Sequence, residues 1–551
     1  MLPRLPAVLS RLPRVALPPR PAVLALFAAA LIVPGLWHDP WKYWDAIGIG
    51  IVHNVALTGD LLVARVAGVP WMYDPPLFHW VAAAFGKLFQ RLIEFHAAAR
   101  LASGAFLAAA FYLIHAAGRD WAESDKAPVA GAAALLVLLG SVGLMVHAHE
   151  ALPEIAALAA ACGTLAALPH ATRRPFAAGA AAGTALGLAF LAAGWLAPAA
   201  LGAAVTAAHL VCPEWRNRRG AAFLATALAT ALVIAAAWAM TLALRAPEAF
   251  LAWWQLASAR QDALPNLRRV LSTAGWFAWP AWPLALWSMW SLRRRWREPA
   301  LLVPALAGMA LIVLMSLWGQ AQQENLIPLL APLALLAAHG VFSLRRGAAG
   351  AFDWFGVLTF AFFTGLVWLG YAALMTGFPP RVEFNLTRMA PGFTPQFRLL
   401  PLVYALALAL AWLYLVFFST ASPVRSVMRW AAGIALLWGT FASLGMPWVD
   451  YQKSYRSVAL QLRSKIPVGT ECIAQKSLGV PQAAALDYHA GIRTQPFDLL
   501  KPDACRLVLV QGSPKHELDA PASTPRTRWT KLADVGRPGD KSERYRLYRL
   551  R

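Results

Sequence analysis

Ionisable side chains are concentrated in one stretch near the start of the chain, where they alternate with aromatic residues. The stretch WHDPWKYWDAIGIGIVHNVALTGDLLVARVAGVPWMYDPPLFHW contains Asp39, Asp45, His53, Asp60, Arg65, Asp74 and His79. Asp45 stands directly before 46–58, where apolar residues recur at helical spacing. At a helix start its carboxylate would satisfy free backbone N–H groups. At a lipid–water boundary the same carboxylate could serve as a general base, and the residues alone leave both roles open.

A second polar group follows in VHAHEALPEIAAL, between two apolar runs. His147, His149 and Glu150, together with Asp45, are a candidate ligand set for a divalent metal ion, because imidazole and carboxylate suit several such ions. Glu154 opens the next apolar run, where an acid is costly unless it faces protein or water. It is therefore either solvated at the membrane surface or part of a site.

The elements that must position these residues are apolar. Of 551 residues, 59% are hydrophobic and 14% are charged. A disordered chain needs low hydrophobicity, and soluble domains carry about 25% charged residues. Runs of about 17–25 apolar residues can cross a bilayer. They predict a polytopic α-helical membrane protein with about 13 transmembrane helices, at 21–37, 98–117, 127–146, 151–169, 176–193, 195–211, 220–243, 271–291, 299–318, 326–343, 352–376, 400–419 and 428–446. Only Gly194 and Trp195 separate 176–193 from 195–211, so these two could form one bent element.

Basic residues indicate the orientation of the helices. Those in one alternating set of loops are Arg4, Arg11, Arg14, Arg20, Arg119, Lys126, Arg173, Arg174, Arg216, Arg218, Arg219, Arg293, Arg294, Arg295, Arg297, Arg345, Arg346 and Arg425. The short loops of the other set, around 147–150, 194 and 319–325, contain none, so the positive-inside rule makes the first set cytoplasmic. This requires 76–93 to be an interfacial or re-entrant helix, and it places the N-terminus inside and the C-terminus outside. Because the basic residues are dispersed, the net charge of +22 does not indicate nucleic-acid binding.

The sequence changes character after about residue 447. Short β-type runs such as TECIAQ, CRLVLVQG and YRLYRL alternate with helix-like segments, which predicts a small outer α/β domain. We therefore divide the chain into a membrane domain, 1–446, with a first outer loop at 38–97, and an outer domain, 447–551. Cys472 and Cys505 lie where a disulfide can form, but their pairing is open. From Asp450 onward there are 18 Lys/Arg and 10 Asp/Glu, a basic surplus suited to anionic headgroups or an anionic acceptor.

The first outer loop resembles that of bacterial GT-C glycosyltransferases, and within them lipid A aminoarabinose transferases and protein O-mannosyltransferase-like enzymes. Their loop runs from an acidic residue through a "GDW…PR…G.PY…KPPL.YW" pattern, and here the corresponding stretch is TGDLLVARVAGVPWMYDPPLFHW. The matching positions are Gly59, Asp60, Arg65, Gly68, Pro70, Pro75, Pro76, Leu77 and Trp80, and Asp45 matches the catalytic acid.

The resemblance implies a bacterial inner-membrane enzyme of GT-C fold with a periplasmic C-terminal domain. It would move a sugar from a polyprenyl-phosphate donor to a lipid, such as one like lipid A, or to a protein. Asp45 would activate the acceptor hydroxyl, and Glu154 would be the second acidic residue, with Glu150 as the alternative. Some relatives use a divalent metal ion and others do not need one.

Three positions depart from the family pattern. In the loop motif Tyr73, Asp74, Pro75 and Pro76, the family has a Lys in place of Asp74. A second family Lys, in "LTKGP", is Ala193 in LAAGWLAP, and the later "K.PYY..P" motif corresponds to QAQQENLIPLLAP. The expected cations for the donor phosphate are therefore missing. Arginine binds phosphate through its fork of donors, and the available outward-facing arginines are Arg65, Arg260, Arg268 and Arg269.

Two other classes of function compete with a transferase. About 13 spans would also suit a transporter or flippase, although we find no internal inverted repeat and few charges within the spans. The missing lysines would suit a catalytically degenerate membrane scaffold. The partners expected of the transferase are the lipid-linked donor, the acceptor and membrane lipids, without nucleic acid.

Overall fold

A computed structural model describes residues 15–320, 322–497, 504–513 and 529–551. Arg4, Arg11 and Arg14 of the orientation argument lie outside these residues. The described helices are α1 (Pro21–Ile32), α2 (Tyr43–Thr58), α3 (Leu77–Phe89), α4 (Phe95–Trp121), α5 (Ala127–Leu139), α6 (Val142–His147), α7 (Pro153–Ala167), α8 (Pro175–Ala193), α9 (Leu196–Val211), α10 (Arg218–Arg245), α11 (Pro247–Ser258), α12 (Ala263–Phe277), α13 (Ala281–Ser291), α14 (Pro299–Leu317), α15 (Leu330–Val341), α16 (Arg346–Thr376), α17 (Pro380–Met389), α18 (Leu399–Phe418), α19 (Arg425–Thr440), α20 (Met446–Lys453), α21 (Arg456–Lys465) and α22 (Val480–Ala490).

Eight helical segments of the described chain are long and apolar enough to cross a membrane. They include α4, α8, α10, α14, α16 and α18, a segment formed by Glu324–Val341, and the segment Arg425–Lys465, which is interrupted at Ser454 and Tyr455. Four shorter apolar helices accompany them, among them α1, α5 and α9. The predicted polytopic helical class is thus confirmed, whereas the number of about 13 spans stays a prediction.

Several predicted spans are divided because proline and glycine interrupt them. The run 271–291 forms two helices, α12 and α13, on either side of Pro280, which cannot donate a backbone hydrogen bond. The run 127–146 forms α5 and α6, which are separated at Gly140 and Ser141. The runs 176–193 and 195–211 are two helices, and Gly194 between them has φ +78°, a conformation open to glycine.

The first outer loop consists of α2, a short antiparallel hairpin of β1 (Arg65–Val66) and β2 (Val69–Pro70), and α3. Apolar side chains of α2 are buried nearly all round, so this helix is held inside the protein. Two glycines permit its close packing. A Cβ at Gly48 would clash with the carbonyl oxygen of Ala151, and a Cβ at Gly50 would lie only 2.8 Å from Cβ of Ala484. Helix α3 has 13 residues and packs on α4. Its assignment as an interfacial helix stays a prediction.

The C-terminal part forms a five-stranded mixed sheet. Its strands are β3 (Ile473–Lys476), β4 (Gln495–Pro496), β5 (Leu507–Gly512), β6 (Trp529–Val535) and β7 (Arg544–Leu550), in the order β4-β3-β5-β7-β6. β3 runs parallel to β4 and β5, while β7 is antiparallel to β5 and β6. Helices α21 and α22 contribute to its apolar core, and a disulfide joins Cys472 to Cys505. The small C-terminal α/β domain predicted from the sequence is therefore present.

This domain is attached to the first outer loop through an ion-pair network. Arg456 Nη2 donates to Asp39 Oδ1 at 2.7 Å and to Glu94 Oε2 at 2.6 Å. Burial raises the pKa of Asp39, but Arg456 and the hydroxyl of Ser454 lower it to about 2. The hydroxyl of Tyr488 adds a bond by accepting from the backbone N–H of His96 at 3.1 Å. The outer domain thus rests on the loop that carries the candidate chemistry.

Candidate functional site

A cavity of about 940 Å³ lies where the first outer loop meets the outer ends of the membrane helices. Residues from α2, the loop before α3, the start of α7, the α8–α9 junction, α11 and the loop after α14 all contribute to its wall. The lining residues used below are Trp44, Gly48, Trp71, Tyr73, Asp74, His79, Glu154, Ala193, Trp195, Trp253, Trp318, Gln320, Gln322 and Asn325.

Two carboxyl groups and one imidazole face this cavity. Oε2 of Glu154 and Nδ1 of His79 are buried without a hydrogen-bond partner among the described residues. Burial raises the pKa of Asp74 to about 7 and lowers the pKa of His79 to about 4. Buried polar atoms normally have partners, so these groups are the ones in the wall most available to a ligand.

Aromatic rings and side-chain amides complete the wall. Trp71 stacks on Tyr73 with ring centroids 4.5 Å apart, and Trp195 meets Trp318 edge to face at 5.5 Å. The indole N–H of Trp195 donates to the carbonyl of Ala257 at 2.9 Å, which fixes its ring. Gln320, Gln322 and Asn325 add donors and acceptors. A concave site with aromatic faces and a few polar groups suits a small polar ligand with an apolar side.

The three positions at which the loop motifs depart from the family converge on this cavity. Asp74, Ala193 and the group of Gln320, Gln322 and Asn325 are far apart in sequence, yet each contributes to the same wall. Among the described residues that line it, none is Lys or Arg. The wall therefore has acidic and amide side chains at the positions that correspond to the family's cations.

The four candidate phosphate-binding arginines lie at different distances from the cavity wall. The guanidinium of Arg260 lies over the ring of Trp318, 5.4 Å from its centroid, so it reaches the rim. Arg65 lines an adjoining cavity of about 1080 Å³ that shares Trp71 and Tyr73 with the first. Arg268 and Arg269 are exposed on α12 and line neither cavity.

Asp45 lies behind this wall and is engaged in a buried ion pair. Its Oδ2 accepts from Arg100 Nη2 at 2.5 Å and its Oδ1 accepts from Arg100 Nε at 3.2 Å, both side chains being fully buried. The backbone N–H of Ala151 donates to Oδ1 at 2.8 Å. Arg100 also donates to the carbonyls of Leu36, at 3.1 Å, and His38. The carboxylate is therefore satisfied and holds α2, α4 and the start of α7 together.

Two of the candidate metal ligands of the second polar group are in contact, and the third has a different neighbour. Glu150 Oε2 lies 2.8 Å from Nδ1 of His147, and its other oxygen pairs with Lys42. Burial alone would raise the pKa of Glu150, but Lys42 and His147 lower it to about 2. His149 instead stacks on Trp438, with centroids 4.1 Å apart. Among the described residues, the group whose ligand atoms lie within 4.8 Å of one another is Asp39, Glu94 and His96, and Arg456 forms ion pairs with both of its acids.

Two groups of the site were not found from the sequence. Arg100 lies in an apolar helix 55 residues from Asp45 and looked like a residue of a span. His79 is among the ionisable residues of the first outer stretch, but the sequence assigns it no role. Both residues could have been identified by one signal. A polar group in an apolar helix is costly to bury, so its presence indicates a hydrogen-bonding partner or a function.

The fold is similar to that of ArnT from Cupriavidus metallidurans bound to undecaprenyl phosphate, with a TM-score of 0.69 and 18% identity over 96% of this chain and 97% of that chain. The apo structure of the same enzyme matches with a TM-score of 0.68 and 18% identity over 96% of this chain and 98% of that chain. The fold is also similar to the Archaeoglobus fulgidus oligosaccharyltransferase in complex with Zn and sulfate (TM-score 0.51, 11% identity, 89% of this chain and 67% of that chain). Neither a protein-family model nor a curated protein sequence matches the chain. The chain therefore has the GT-C fold, which confirms the resemblance predicted from the first outer loop.

Proposed function

We propose that the chain is an integral membrane glycosyltransferase that moves a sugar from a polyprenyl-phosphate donor to a lipid, such as one like lipid A, or to a protein. The observation that carries the proposal is the acid- and Trp-lined cavity. It brings together Asp74, Ala193 and the side chains of Gln320, Gln322 and Asn325, which lie at positions that correspond to the family's donor motifs. The same fold in a neighbour bound to undecaprenyl phosphate supports a lipid-linked donor.

Glu154 is the carboxylate best placed to act as the base. It lines the cavity and one of its oxygens has no partner among the described residues. It would take the proton from the acceptor hydroxyl as the oxygen attacks the anomeric carbon. The bond from that carbon to the phosphate oxygen would break with inversion, and the polyprenyl phosphate would leave with the electron pair.

Asp45, predicted as the base from the loop motif, would have to leave Arg100 before it could accept a proton. In the arrangement observed it supports the site indirectly, because its partner Ala151 lies three residues before Glu154. We therefore propose Asp45 as a positioning residue and Glu154 as the catalytic residue, and the two roles are separable by experiment.

The leaving phosphate needs a cation to stabilise its charge. Arg260 at the rim and Arg65 in the adjoining cavity flank the site and are the arginines proposed for this role. A divalent ion bound with Glu154 and Asp74 would serve the same purpose, since carboxylates are ligands for such ions. Activity measured with and without a chelator separates these alternatives.

The decisive experiment uses purified full-length protein and a radiolabelled polyprenyl-phosphate sugar. We expect label to move to a membrane lipid or protein acceptor, and Glu154→Gln to abolish transfer without loss of folded protein. Glu298→Gln is the matched control, because among the described residues Glu298 forms its ion pair with Arg295, at the opposite, cytoplasmic side in the expected topology. Unchanged transfer by Glu154→Gln would contradict the proposed base.

The same protein in liposomes tests the other classes. Solute counterflow without sugar transfer would identify a transporter or flippase, and neither activity would identify a scaffold. Cysteine labelling from either side of bacterial inner-membrane vesicles tests the proposed orientation, with a cytoplasmic N-terminus and a periplasmic C-terminal domain. We expect an outer-face label to reach a Cys introduced at Val468, which is fully exposed.

A further inference from the structure

A groove separate from the candidate active site runs between α16 and the continuous helix that contains α19 and α20. Its outer part has a volume of about 1270 Å³ and its deeper part about 1090 Å³. Tyr371, Leu374, Leu444 and Trp448 line both parts, so the two parts adjoin, and together they are called here the lateral groove. Of the described residues, none lines both the lateral groove and the active-site cavity.

The deeper part of the lateral groove is lined almost wholly by apolar side chains. On α16 it extends from Phe363 to Leu374, which at 1.5 Å per residue is about 16 Å. That length is about half of a hydrocarbon core of roughly 30 Å. In the expected topology these are the outward halves of α16 and α19, so the deeper part matches the depth of one leaflet and suits a hydrocarbon chain.

A single π-helical turn, Phe441–Gly445, lies where the two parts of the groove meet. Phe441 lines the deeper part, Ser443 lines the outer part and Leu444 lines both. Turns of this kind are rare inside α-helices and frequently occur at functional sites. The change from apolar to polar lining therefore coincides with a local change in helix geometry.

The outer part contains one cation and one acid that are not paired with each other. Arg398 contacts Gln396 Oε1 at 3.4 Å and forms no ion pair with a described residue. Asp450 accepts hydrogen bonds from Trp41 Nε1 at 2.9 Å and from a backbone N–H at 3.3 Å, but no described cation pairs with it. The other acid and cation that line the outer part, Asp39 and Arg456, form an ion pair, and Arg456 also pairs with Glu94.

We propose that the lateral groove binds one phospholipid of the outer leaflet whose headgroup carries both a phosphate and an ammonium group. Arg398 binds the phosphate through its guanidinium fork, and Asp450 accepts hydrogen bonds from the ammonium. A hydrocarbon chain lies between α16 and α19. The proposal concerns binding at a site apart from the active-site cavity, so it does not depend on the proposed transferase activity.

Two glycines on α16 provide a matched pair of variants. Gly370 lines the deeper part, and a Cβ there would meet only Leu386 Cδ1 at 3.8 Å, which is ordinary contact. Gly365 lies on the same helix outside the groove, with nothing within 4 Å of an added Cβ. Gly370→Phe would therefore fill the groove, whereas Gly365→Phe would add the same ring on the membrane-facing surface.

The experiment is native mass spectrometry of the full chain in detergent, titrated with phosphatidylethanolamine or phosphatidylglycerol of matched chains. We expect wild type to retain one phosphatidylethanolamine most tightly, Gly370→Phe to lose it and Gly365→Phe to keep it, with equal thermal stability of both variants. Arg398→Gln should weaken binding about five-fold, the effect of one basic residue near a lipid phosphate. Asp450→Asn should remove the preference for phosphatidylethanolamine.

Three results would overturn the proposal. The first is an equal effect of the two glycine variants, which would mean that the bound lipid lies outside the groove. The second is phosphatidylglycerol binding to wild type as tightly as phosphatidylethanolamine, which would exclude recognition of the ammonium. The third is unchanged affinity in Arg398→Gln, which would exclude the phosphate contact.

Discussion

The buried ion pair between Asp45 and Arg100 makes a quantitative prediction about how the first outer loop is held. Both side chains are 0% exposed, and the carboxylate accepts two hydrogen bonds from Arg100 and one from Ala151. Asp45→Asn removes the negative charge and leaves the guanidinium buried without a counter-ion. Removal of one partner of a buried pair costs about 3–5 kcal/mol. We expect the free energy of unfolding to fall by that amount.

The assay unfolds the purified protein in detergent. Unfolding is measured as the loss of the fraction that stays monodisperse on size-exclusion chromatography. An exposed pair provides the control: Glu123→Gln, opposite Lys126, should cost less than about 1 kcal/mol. The double variant Asp45→Leu with Arg100→Met should recover most of the loss, because apolar replacement of a buried pair is often neutral. The recovery would show that the cost arises from the uncompensated charge.

Either of two results would refute this reasoning. If Asp45→Asn unfolds like wild type, the ion pair does not hold the loop. If the variant is folded and as stable as wild type but transfers no sugar, Asp45 is the base, as the loop motif predicted, and the assignment of Glu154 is wrong. Measurement of stability and transfer on the same preparation distinguishes a positioning role from a catalytic one.

Three further predictions follow from the site and the outer domain. Asp74→Asn should lower the KM for the donor at pH 8 but have little effect on it at pH 6. Burial raises the pKa of Asp74 to about 7, and its carboxyl group repels phosphate only when it is ionised. Steady-state kinetics at the two pH values check this prediction. The Cys472–Cys505 disulfide closes a loop over a separation of 33 residues. Its reduction should destabilise the outer domain by about 3–4 kcal/mol, which hydrogen exchange with and without reductant measures. Gly48→Val should lower the free energy of unfolding by about 1–3 kcal/mol and reduce sugar transfer, because a Cβ there clashes with the carbonyl oxygen of Ala151 and forces α2 away. A thermal stability equal to that of wild type would contradict the close packing.

Local patterns in the sequence predicted the architecture. Hydropathy identified the membrane helices because a bilayer requires about 20 apolar residues per crossing, which is a property of consecutive residues. The change after residue 447 predicted the α/β domain because strand periodicity and turn residues are local as well. The lengths of individual helices were less well predicted, since the breaks near Gly140 and Pro280 lie within otherwise continuous apolar runs.

The sequence by itself determined that this is a helical membrane protein with a GT-C-like first outer loop. It also named Asp74, Ala193 and the stretch QAQQENLIPLLAP as the places where the family's cations are missing. Only the tertiary structure decided that they share one cavity, that Glu154 faces it, and that Asp45 is paired with Arg100 behind it. The physical reason is the range of the interactions. Burial within a bilayer acts on each segment separately, whereas an ion pair or a cavity wall depends on contacts between residues tens to hundreds of positions apart.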